Sequence, residues 1–66
     1  MVTKKDQEIR KALGEKLRIA RENAGLTQAE VAKKAKMSAN YYAKIERGII
    51  STAPEKLYKI FKALNV

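Results

Sequence analysis

The segment over residues 27–48, TQAEVAKKAKMSANYYAKIERG, limits what this chain can fold into more than any other. Thr27 and Glu30 have the T-x-x-E spacing of a capping box, which marks the start of a helix. Ser38 is a favourable N-cap for another helix, expected over about residues 39–47. The segment therefore predicts two short helices joined by a tight turn.

Apolar residues at steps of three or four predict a longer helix before this segment, over about residues 6–23. Its stripe consists of Ile9, Leu13, Leu17, Ala20 and Ala24. Gly25 is expected to end the helix in a left-handed conformation. Gly14 lies inside it, where glycine costs about 1 kcal/mol relative to alanine. A close approach of another helix would account for this glycine.

A further helix is expected over about residues 54–64, because Pro54 suits a first helical turn. Its N-cap stays open between two residues. Thr52 and Glu55 form a second T-x-x-E pair, whereas Pro54 at the first helical position would make Ala53 the cap. The predicted inward faces of the last three helices consist of Val31, Ala32, Ala35, Tyr42, Ile45, Leu57, Ile60, Phe61 and Leu64. We expect an all-α fold, a compact bundle of four short helices, in one domain over residues 1–66.

The composition excludes several functions. The chain of 66 residues has no cysteine and no histidine, so neither disulfides nor the commonest metal ligand and general base are present. Its seven acidic residues are not clustered, and we expect no enzyme, no metal and no cofactor. No apolar run is long enough for a membrane span or a signal peptide, which favours a cytoplasmic protein without a membrane partner.

The charge points to a polyanionic partner. Fifteen Lys and Arg against seven Asp and Glu give a net charge of +8, spread along the whole chain. Such a surplus attracts nucleic acid, although solubility alone is an alternative explanation. Lys56, Lys59 and Lys62 mark one side of the last helix, where solubility is the simpler reading.

With these features the chain resembles the lambda-repressor-like family, the XRE-type helix-turn-helix regulators. The strongest parts of the resemblance are GLTQAEVA and YYAKIERG at the family's spacing. Matching positions outside them are Leu17, Arg18, Arg21, Ser38, Leu57, Ile60, Ala63 and Leu64. The resemblance implies that the second and third helices form the helix-turn-helix, with the third in the DNA major groove.

Three positions depart from the family pattern. Lys36 stands where glycine is usual in the turn, so we expect a positive φ at a residue with a Cβ. Tyr42 replaces a branched aliphatic residue. The sequence ends at Val66, where most relatives continue into a fifth helix that often carries the dimer contact. A fifth helix is therefore not expected, and any homodimer should be weak and favoured on DNA.

The resemblance, together with the helical geometry, assigns candidate functional residues. The predicted base-reading residues are Ala39, Asn40, Tyr41 and Lys44. The predicted phosphate-binding residues are Gln28, Ser38, Arg47, Ser51 and Thr52. Asparagine can pair with adenine and lysine with guanine, while a helix N-terminus attracts phosphate. Tyr41 has an alternative role, packing its ring on the DNA backbone or on a neighbouring helix.

The resemblance also implies a structural pair, Arg21 with Glu46, that would tie the first helix to the third. Overall we expect sequence-specific binding of double-stranded DNA by a transcriptional regulator of bacterial or phage type, associated with the nucleoid. The alternative is a protein-interaction module of the same fold, an antitoxin or adaptor. The exposed-looking pair Ile49 and Ile50 favours that alternative slightly.

Overall fold

Four α-helices make up the computed structural model, which describes residues 3–66. They are α1 (Lys4–Asn23), α2 (Gln28–Lys34), α3 (Ala39–Glu46) and α4 (Pro54–Leu64), and no strand occurs in the described range. The all-α prediction is confirmed. The first helix begins two residues earlier than predicted, because Thr3 and Asp6 form a capping box of their own.

Local capping residues set the start of the other helices. Thr27 Oγ1 accepts the Glu30 N–H at 3.1 Å and Glu30 Oε1 accepts the Thr27 N–H at 2.8 Å, as the capping box predicts. The hydrogen bond from the Thr27 backbone N–H to its carboxylate, followed by the nearby Thr27 hydroxyl, lowers the pKa of Glu30. Ser38 Oγ accepts the Tyr41 N–H at 3.1 Å. The N-cap of α4 is Ala53 without a side-chain hydrogen bond, so the second T-x-x-E pair forms no capping box.

The core lies between α2, α3, α4 and the C-terminal half of α1. Its buried side chains are Leu17, Val31, Ala32, Ala35, Tyr42, Ile45, Ile60 and Leu64. Leu57 and Phe61, predicted to be buried, are only half-buried. The predicted stripe on α1 is wrong at its ends: Ile9 is 57% exposed and Ala24 is also exposed. A helix of 20 residues is about 30 Å long and extends beyond the short helices packed against it.

Two glycines allow α1 to approach the end of α3. A Cβ on Gly14 would lie 2.2 Å from the carbonyl oxygen of Glu46, and one on Gly48 would lie 2.8 Å from Lys11 Cα. Each glycine therefore faces the backbone of the other helix or its immediate extension. This close approach explains the glycine inside α1.

The turns contain the predicted left-handed residues. Gly25 has a φ of 73° after α1. Lys36 has a φ of 59° between α2 and α3, where a residue with a Cβ is strained.

Within residues 3–66 there is no helix with the length and apolar character that a bilayer crossing needs.

Candidate nucleic-acid interface

One side of α3 faces solvent, from its first turn to its C-terminal end. Ala39 and Asn40 are exposed, as is Arg47 at the C-terminal end of the helix. Tyr42 and Ile45 on the opposite side are buried in the core. This division leaves the Asn40 side chain free to reach a ligand outside the protein.

Tyr41 and Lys44 lie at the edge of this surface, because both are half-buried. The Tyr41 ring packs against the core, and Lys56 Nζ of α4 lies 4.6 Å from its centroid. This is the distance of a cation–π contact. The contact favours the role of Tyr41 as a packing residue between α3 and α4.

Arg21, Glu46 and Gln28 form a hydrogen-bonded network between α1, α2 and α3. Arg21 Nε donates to Glu46 Oε2 at 2.7 Å and Arg21 Nη2 to Glu46 Oε1 at 3.2 Å. Arg21 Nη1 donates to the Leu26 carbonyl at 3.0 Å. The Arg21 and Glu46 side chains are 14% and 3% exposed, so the pair lies well inside the protein. These contacts tie α3 to α1 and to the α1–α2 turn.

The ionisation of this network follows from its contacts. Burial acts to raise the pKa of Glu46, but hydrogen bonds, first among them those from Arg21, outweigh it and hold the pKa below its usual range. The same hydrogen bonds raise the pKa of Arg21. Burial, followed by the nearby Glu46 carboxylate, raises the pKa of the Tyr42 phenol. Glu46 and Arg21 therefore form a charged pair at neutral pH.

Gln28 takes part in the same network at the start of α2. Its Nε2 donates to Glu46 Oε1 at 3.0 Å. A side-chain amide has two N–H donors and a carbonyl oxygen, so the second N–H is left for an external acceptor. The sequence predicts a phosphate-binding role for Gln28 but contains no signal for this internal contact, because Glu46 is distant in sequence.

The remaining phosphate candidates lie around the two ends of α3. Ser38 accepts a hydrogen bond from the helix backbone, and its hydroxyl proton can still be donated outward. Arg47 and Ser51 are exposed. Thr52 is half-buried, and its Oγ1 has no hydrogen-bond partner among the described residues.

The loop between α3 and α4 differs from its sequence-based description. Ile49 is 53% exposed, but Ile50 packs against the core, so the two do not form an exposed pair. Arg10 Nη1 donates to the Ile49 carbonyl at 3.5 Å and links the loop to α1. Neither this contact nor the position of Lys56 over Tyr41 has a local sequence signal, because both depend on how the helices pack.

Comparison with known proteins assigns the class. Residues 17–66 match the helix-turn-helix family. The chain therefore belongs to the XRE-type helix-turn-helix family, and at that level it is a DNA-binding transcription regulator.

A solved structure gives a more particular likeness. The crystal structure of the clp gene regulator ClgR from C. glutamicum is 36% identical in sequence, with a TM-score of 0.81. The alignment covers 85% of this chain and 73% of that one. Among curated proteins, no sequence matches this chain.

Proposed function

We propose that the protein binds double-stranded DNA sequence-specifically as a transcriptional regulator of bacterial or phage type, with α3 in the major groove. The proposal rests on the exposed first turn of α3, a helix that the buried Arg21–Glu46 pair fixes at its C-terminal end. A helix fixed on its inner side can present its outer side chains to base edges in a defined orientation. Family membership supports the same role.

The base-reading part of the proposal concerns α3. Asn40 would pair with N6 and N7 of adenine, and Lys44 would donate to O6 and N7 of guanine. Ala39 would contact a thymine methyl group. Tyr41 would border this surface and contact the sugar-phosphate backbone. Lys56, which makes a cation–π contact with its ring, would lie beside it.

The proposed phosphate-binding residues surround α3. Gln28 and Ser38 lie at the starts of α2 and α3, where free backbone N–H groups attract an anion. The residues proposed for the far side of the groove are Arg47, Ser51 and Thr52. These contacts would fix the register of the protein on DNA without reading its sequence.

Site selection from randomised duplexes tests the proposal. A single recurrent sequence should emerge, and affinity for it should fall steeply between about 50 and 200 mM salt through counterion release. Selection that returned no recurrent sequence would contradict base reading by α3.

We also propose that any homodimer is weak in free solution and forms mainly on adjacent half-sites, and that the protein acts in the cytoplasm at the nucleoid.

A protein-interaction module of the same fold is the second candidate, and the exposed side chain of Ile49 favours it. An exposed isoleucine next to the α3 surface could be covered by a partner protein. Binding to random duplex DNA at low salt separates the two functions. An adaptor would show little binding there, whereas a DNA-binding regulator with this charge would bind readily.

A further inference from the structure

A lysine-lined cleft lies at the C-terminal ends of α2 and α4, away from the helix starts that carry Gln28 and Pro54. It has a volume of about 670 Å³. Its walls consist of Lys34, Ala35, Lys36, Lys59, Lys62, Ala63 and Asn65. Four of these seven residues are cationic and none is acidic. The cleft therefore concentrates positive charge in a volume typical of small-molecule sites.

The four lysines form no salt bridge within residues 3–66. Lys34 interacts with Glu30, one helical turn away, only through longer-range attraction. Lys62 Nζ lies 5.7 Å from the ring centroid of Tyr58, which leaves its donors unused. Ammonium groups that line one cleft repel one another, and an anion between them would relieve that repulsion.

Helix capping explains only part of the cluster. Lys34 and Lys62 lie in the last turns of α2 and α4, where the helix dipole favours a cation. Lys59 is in the middle of α4, and Lys36 lies outside the helices with a φ of 59°. The turn accounts for the left-handed conformation but not for a lysine there, since glycine would adopt it without strain.

We propose that this cleft binds a small ligand that carries several phosphate groups. Two helix C-termini contribute roughly half a negative charge each, which four full ammonium charges outweigh. A phosphate chain places several charges within a few atoms and so matches their density. An acidic peptide spreads its charges over about 3.3 Å or more per residue. Lysine binds phosphate as a point charge and needs no planar partner.

Titration with magnesium-free adenosine triphosphate, followed by backbone amide NMR at about 150 mM ionic strength, tests the proposal. Shifts should concentrate on residues 34–36 and 59–65 and spare the first turn of α3. Inorganic tripolyphosphate should give the same pattern, because the phosphate chain is the shared chemistry. Adenosine should give none. Tighter binding of hexaglutamate than of tripolyphosphate would overturn the proposal.

Variants of equal charge separate the cleft from general attraction. Lys36→Gln with Lys62→Gln should weaken triphosphate binding about tenfold, since both charges face the ligand. The control, Lys4→Gln with Lys16→Gln on α1, removes the same charge and should change binding less than about twofold. Equal losses in both pairs would overturn the proposal.

Two further measurements distinguish a ligand site in the cleft from an effect on folding and from a part of the DNA-binding surface. Lys36→Gly removes both the charge and the backbone strain, so it should weaken triphosphate binding while leaving the fold intact by circular dichroism. Affinity for duplex DNA should fall equally in the cleft pair and the α1 pair. A loss of DNA affinity confined to the cleft pair would show that the cleft belongs to the DNA-binding surface, and would overturn a separate ligand site.

Discussion

Gly14→Ala should destabilise the protein, although alanine is the better helix former. Propensity alone predicts a gain of about 1 kcal/mol for this change inside a helix. The added Cβ, however, would lie 2.2 Å from the Glu46 carbonyl oxygen and 2.6 Å from that of Ile45. Ordinary contact begins at 3.4 Å, so the backbones of α1 and α3 must separate by roughly 1 Å. Both contacts are with backbone, so no side chain can rotate away.

Overpacking of this kind costs about 1–3 kcal/mol and occasionally more. Because the overlap with backbone exceeds about 1 Å, we place the cost at about 3 kcal/mol. After the propensity gain the expected net loss is about 2 kcal/mol, or roughly 10 °C in Tm for a domain of this size. Thermal and urea unfolding followed by circular dichroism measure it. Ala12→Gly is the matched control, because Ala12 is exposed on the same helix. It should cost about 1 kcal/mol. A more stable Gly14→Ala protein would refute the close approach of α1 and α3.

Three other predictions concern single side chains. In urea unfolding, Glu46→Ala should destabilise the protein by about 3 kcal/mol because it leaves the buried Arg21 guanidinium unpaired. The control Glu22→Ala, which breaks an exposed pair with Arg18, should cost less than about 1 kcal/mol. Because folding lowers the pKa of Glu46, its carboxylate contributes stability above the unfolded pKa of about 4.3, and this stability is lost as the pH falls through the folded pKa. The urea midpoint should therefore decline less on acidification in Glu46→Gln than in the unmodified protein. Lys36→Gly should raise Tm, because it relieves the backbone strain at a φ of 59°, or leave Tm unchanged where the greater unfolded-state entropy of glycine offsets that gain. A clear loss of Tm would contradict the strain.

The sequence predicts the helices well where their signals are local. Thr27 with Glu30, Ser38 and Gly25 each set a boundary through hydrogen bonds or backbone freedom within a few residues. The start of α1 was missed because Thr3 and Asp6 lie in a charged stretch without apolar periodicity. The exposure of Ile9 could not be read from its spacing, since it depends on how far the neighbouring helices extend.

The candidate site shows the same division. Asn40 and Ser38 follow from helix position alone, and the resemblance implied the Arg21–Glu46 pair that the structure contains. The contact of Gln28 with Glu46 and that of Lys56 with Tyr41 join residues on different helices. Such contacts depend on helix packing, which composition and periodicity do not specify.

In the proposed complex the first turn of α3 reads bases, while the start of α2 only anchors the protein. Affinities of Asn40→Ala and Gln28→Ala for the selected duplex and for a random duplex, measured at one salt concentration, test it most directly. Asn40→Ala should lose about 1–3 kcal/mol on the selected duplex and little on the random one, so the specificity ratio falls. Gln28→Ala should weaken both duplexes similarly and keep the ratio. A uniform loss for Asn40→Ala would contradict base reading by α3.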